Sequence, residues 1–142
     1  MLINPKHGWV TICIDNWSDR ASYLTDVPLD CLDAMIYALT NKCDFIVSFD
    51  AEGWTYKIIS DCYRTFIIEE QNKPKLITIE NVDINMLAKE LYNDISKDLD
   101  EWSNWSCSLD VDEDGKILSK EIENYKQSLV DKLYQLKILL KD

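Results

Sequence analysis

Residues 44–80, DFIVSFDAEGWTYKIISDCYRTFIIEEQNKPKLITIE, constrain the fold more than any other part of the chain. They divide into four short runs of alternating apolar residues, near 44–50, 54–60, 62–70 and 75–80, joined by only a few residues each. Parallel strands need crossovers of about a dozen residues, so these runs are expected to pair as an antiparallel meander. Gly53, in Asp50-Ala51-Glu52-Gly53, supplies the positive φ of a tight hairpin, and Asn72-Lys73-Pro74 makes a second break. Alternation sets Phe45, Val47 and Phe49 on one face and Ile46 on the other, and it sets Trp54, Tyr56 and Ile58 against Ile59 in the same way. Both faces carry apolar groups. One is expected beneath helices, and the second partly covered or left as an aromatic contact surface.

The flanking segments supply the cover. Residues 9–17, WVTICIDNW, alternate as a strand with Val10, Ile12 and Ile14 on one side, and the polar stretch SDRASYLTD after it reads as a loop or a brief edge strand. Pro28 suits a first helical turn, and Leu29, Leu32, Ile36 and Leu39 share one stripe of a helix over 28–42. After Asn81, the residues Ile84, Leu87, Leu91, Ile95, Leu99 and Trp102 keep a second helical stripe, with Asp83 as its cap. From Ser119 onward, Ile122, Tyr125, Leu129, Leu133, Leu136 and Leu140 recur every three or four residues as a long terminal helix, and residues 103–109 read as a linker. The expected product is one α+β domain over residues 1–142. It would hold an antiparallel sheet of about five strands, in chain order β-α-β-β-β-β-α-α, with helices packed on it.

Charge narrows the function. The chain has 26 acidic against 15 basic side chains, a net charge of −11, spread over both halves. Such a field repels phosphate backbones and anionic membrane surfaces, and it steers a basic protein partner inward. The same charge also serves simple solubility. Five dispersed cysteines with no C-x-x-C pair, and a start MLINPKHGWV without the charged and apolar blocks of a secretory leader, point to a reduced, cytoplasmic setting.

Signatures of catalysis are missing. Three glycines make no phosphate-binding loop, and His7 is the chain's one histidine, without the companions of a triad or a zinc site. Asp50 and Glu52 flank a turn and are better read as turn residues than as an acid and base pair. The sharpest local match is residues 110–121, DVDEDGKILSKE, which resemble an EF-hand calcium loop. By that resemblance Asp110, Asp112 and Asp114 would give side-chain oxygens, Lys116 its carbonyl and Glu121 a bidentate carboxylate. Leu118 stands at the ninth position, the preceding segment is a poor helix and EF-hands pair, so Asp-Glu-Asp-Gly also reads as a turn after a short strand over 107–111. Just before it, Asp98, Asp100 and Glu101 interleave with Trp102 and Trp105. Acids beside large aromatics suit the grip of a basic surface, with Trp54 and Tyr56 as further ring contacts, whereas the plainer reading has Trp102 closing the helix stripe over solvated acids.

Size, acidity, mixed α and β content and the style of SYLTDVPLDCLDAMIYAL and FIVSFDAEGW, over roughly residues 8–80, resemble the small immunity proteins of bacterial contact-dependent and other polymorphic toxin systems. The resemblance implies a non-enzymatic protein that binds a cognate toxin domain, often a nuclease, and blocks it; it assigns no functional residue and no cofactor. A calcium-binding module at 110–121 is the alternative, and a small-ligand or enzyme domain with no recognisable motif is the second.

Overall fold

The computed structural model describes residues 1–105, 113–114 and 119–141. Among the described residues seven strands form two antiparallel meanders. β1 (Leu2–Lys6), β2 (Trp9–Ile14) and β3 (Trp17–Ser22) make one in that order, and β4 (Phe45–Asp50), β5 (Thr55–Ser60), β6 (Thr65–Glu70) and β7 (Lys75–Ile79) make the other. Helix α1 (Val27–Asn41) links them in sequence, and α2 (Ile84–Lys97), α3 (Leu99–Asn104) and α4 (Ser119–Leu139) follow. The class is α+β, but the expected single sheet of about five strands is corrected to two sheets of three and four.

The second meander follows from its alternation and its turns. Register pairs Ile46 with Ile59, Ile59 with Phe66, and Ile68 with Leu76, so these side chains share one face. At the first hairpin the Ala51 N–H donates to the Trp54 carbonyl at 2.9 Å around Glu52 and Gly53, both at positive φ. Glu52 adopts that conformation because the Asp50 carboxylate accepts its N–H at 2.7 Å. At the second, Asp61 Oδ1 accepts the N–H groups of Tyr63 and Arg64, and these bonds hold its carboxyl below the ordinary range.

Three features differ from expectation. The unforeseen β1 carries Pro5 and a left-handed Asn4, and its register with β2 shifts between Ile3 and Lys6; an edge strand tolerates such a break. The stripe from Ile84 to Trp102 belongs to two helices, because Asp98 leaves helical geometry at φ −120° and ψ 38°. The linker expected from residue 103 is helical through Asn104, with Ser103 and Trp105 buried.

A buried cluster runs through both sheets and all four helices, from Leu2, Ile12, Leu32 and Phe45 to Leu87, Trp102, Leu129 and Leu136. β3 joins the sheets. The Trp17 ring meets Tyr56 edge-on at 5.3 Å and its indole N–H donates to Glu69, while the Tyr56 hydroxyl donates to the Arg20 carbonyl at 3.0 Å. Helix α1 packs on β4 as well, so the face bearing Phe45, Val47, Phe49, Tyr56, Ile58 and Ile67 is closed, while Ile46 and Leu76 on the opposite face are exposed. Among the described residues no helix is long and apolar enough to cross a membrane.

Candidate functional site

The open face of the four-stranded sheet carries an apolar diagonal. Ile46 is 53% exposed and Leu76 63% exposed, while Ile59, Phe66 and Ile68 between them are half-buried by their neighbours and stand outside the core cluster. Lys57 and Glu70 sit beside them as an ion pair at 3.7 Å, and Thr55 donates to Glu70 at 3.0 Å. Three polar residues of this face, Thr55, Lys57 and Glu70, are thus already paired with one another. Contiguous exposed apolar area on a sheet marks a contact surface more often than scattered single residues do.

Of the residues read as a basic-partner grip, the carboxylates of Asp98, Asp100 and Glu101 are exposed, and Lys126 pairs with Asp100 at 2.5 Å. The aromatic half of that grip is corrected. Trp102 is 1% exposed, Trp105 3% and Tyr56 fully buried, so none of the three rings is presented to a partner. Helical spacing explains Trp102: at three residues beyond Leu99 it continues the buried stripe, and its indole N–H donates to the Asp94 carbonyl at 3.3 Å. Trp105 lies edge-on to Trp102 at 5.9 Å and donates to the Tyr125 hydroxyl at 3.3 Å. The acids of α3 and the rings beside them therefore point apart.

Trp54, the fourth expected ring, is half-buried and lies in a different constellation. Its indole N–H donates to Asp19 Oδ2 at 2.9 Å, and the Arg20 guanidinium sits over its ring at 5.1 Å and over that of Trp9 at 4.6 Å. Sequence reasoning missed Arg20 and Trp9 because they lie on strands of the first sheet while Trp54 belongs to a hairpin of the second. Nothing in local spacing joins them.

Five titratable groups around α1, β5 and α4 shift upward. Burial pushes the Cys31 thiol and the hydroxyls of Tyr56 and Tyr125 well above their ordinary values, with nearby aspartates adding to the effect, so all three stay protonated near neutral pH. Asp26 is raised chiefly by burial, which the hydrogen bonds from Tyr125 and the Leu29 N–H partly offset, and Asp30 is raised by burial and by the field of Asp26 and Asp33. Asp26 acts as the cap of α1. His7 is exposed at positive φ in the turn between β1 and β2.

Of the calcium ligands expected from the loop resemblance, Asp110, Asp112 and Lys116 lie outside the described residues. Asp114 is exposed and Glu121 is in the first turn of α4. Among the described residues no group of three or more His, Cys, Asp or Glu side chains is placed to hold a metal. Comparison with known protein families, with characterised proteins and with solved structures returned no match.

Proposed function

We propose that the chain is a non-enzymatic binding protein that neutralises a basic protein partner, as the toxin-immunity proteins it resembles do, and that its contact surface is the open face of the second sheet. The observation that carries the reading is the uncovered apolar diagonal of Ile46, Ile59, Phe66, Ile68 and Leu76. A net charge of −11 supplies the long-range attraction and the diagonal supplies the desolvated centre, two roles that separate in interfaces generally. The acids of α3 contribute to steering. Trp102, Trp105 and Tyr56 drop out of the contact, and Trp54 stays at its margin.

Co-purification with the product of the neighbouring reading frame, followed by titration calorimetry, tests this. Phe66→Asp and Ile59→Asp should each weaken binding by about tenfold or more, since each puts a charge into a desolvated centre. Replacing Asp98, Asp100 and Glu101 by lysine should instead slow association and flatten its salt dependence. Unchanged affinity in both sheet variants would remove the face from consideration, and a neighbour of purely metabolic function that does not bind would count against the immunity reading.

A further inference from the structure

We infer that Arg20, whose guanidinium carbon lies over the rings of Trp9 and Trp54, is a carboxylate-binding site. The two indole ring centroids lie 4.6 and 5.1 Å from its Cζ, and among the described residues no group accepts a hydrogen bond from its side-chain N–H groups. Among the described residues no carboxylate lies within ion-pair distance of the guanidinium. The adjacent acid is engaged elsewhere: Asp19 Oδ1 accepts the backbone N–H of Arg20 at 2.7 Å, and Asp19 Oδ2 accepts the Trp54 indole N–H at 2.9 Å. Arg64, the other arginine, is paired with Glu80 at 3.0 Å.

The site is also fixed in place. Asp19 holds the Arg20 N–H, the Tyr56 hydroxyl holds its carbonyl, and the ladder sets it opposite Thr11 on β2. A guanidinium whose backbone and ring contacts are settled beforehand loses little freedom on binding, so more of the bond strength appears as affinity. Arg20 brings its positive charge beside the Asp19 carboxylate, whose two partners are neutral N–H groups, so a singly charged carboxylate is opposed less than a phosphate monoester, which carries about −1.5 to −2. The source would be an Asp or Glu side chain or a chain terminus of a protein partner, and that clause alone rests on the binding-protein reading.

Nuclear magnetic resonance titration of the whole chain at fixed pH and ionic strength tests the site, following the Arg20 Nε–H and the Trp9 and Trp54 indole N–H signals. The probes are N-acetylglycine for a chain terminus, N-acetylglutamate α-amide for a side chain, and N-acetylglycinamide as the control without a carboxylate. Saturable shifts at all three signals are expected with either carboxylate, about fivefold tighter than at Arg64, and the tighter probe assigns the source. In Arg20→Lys, which keeps the charge and loses the planar fork and the Nε–H signal, the shifts of the Trp9 and Trp54 indole signals should report binding weakened by a similar factor. Shifts that rise linearly and equally at Arg20 and Arg64, or that persist in folded Arg20→Lys, would overturn the proposal; if that variant loses its fold, the wild-type comparison with Arg64 decides. Such a failure leaves the sheet-face reading standing, because Phe66→Asp tests that independently.

Discussion

The Tyr125 hydroxyl donates to Asp26 Oδ1 at 2.6 Å, which ties the second turn of α4 to the N-cap of α1 across 99 positions of sequence. The same oxygen accepts the indole N–H of Trp105, so three elements meet at one hydroxyl. Tyr125→Phe leaves a buried indole N–H without its acceptor and a half-buried carboxylate with one donor fewer. Unfolding in urea should show a loss of about 1–3 kcal/mol, the usual cost of stranding buried polar groups.

Asp26 also sets a pH dependence. Its folded-state value is raised above the ordinary 3.8, chiefly by burial, so the folded chain binds this proton more tightly than the unfolded chain does. Its contribution to stability is therefore fully present below 3.8 and is lost as pH rises through the higher folded value. Asp26→Asn keeps a capping side chain and removes the titration. Relative to wild type, the variant should gain stability as pH is raised from about 4 toward neutrality, and a difference that stays flat over that range would contradict the assignment.

Trp102 and Asp100 lie two residues apart and should behave oppositely. Truncating Trp102, 1% exposed and packed edge-on to Trp105, should cost about 3–5 kcal/mol. Asp100→Ala removes an ion pair whose acid side chain is 86% exposed, and its effect should stay within about 1 kcal/mol and shrink further with added salt. Thermal and chemical denaturation of the two variants measures both.

Gly8 has φ +77°, and a Cβ there would stand 2.5 Å from Tyr23 Cδ1. Gly8→Ala should lose about 1–2 kcal/mol to the left-handed backbone, with a further penalty from moving the ring. Adding Tyr23→Ala should relieve the clash while leaving the backbone cost, so Gly8→Ala should cost less in the Tyr23→Ala background than in the wild type.

Asp83 caps α2 by accepting the Met86 N–H at 2.9 Å. Asp83→Ala should lower stability by about 0.5–2 kcal/mol, and hydrogen exchange should show the loss first in the opening turn of α2.

Local periodicity by itself determined much of this protein: the strands between residues 44 and 80, their antiparallel pairing, the helices near 28–42 and from Ser119, and the Asp83 cap. Those features depend on neighbours within a turn or a hairpin, where side-chain spacing and glycine geometry act directly. The sheet's two-sided apolar character was legible too, as the alternation of Phe45 and Phe49 against Ile46, but which face stayed open was not. Only tertiary packing decided that, when α1 packed on β4 and β3 laid Trp17 and the Arg20 carbonyl against Tyr56. Tertiary packing also drew Trp102, Trp105 and Tyr56 inward, since a large ring stabilises the chain more in the core than beside solvated acids. It assembled Trp9, Arg20 and Trp54 as well, whose strands and hairpin belong to different sheets. A pattern of residue spacing carries the period of a strand or a helix, whereas the partner across the core is chosen by the burial of the whole chain at once.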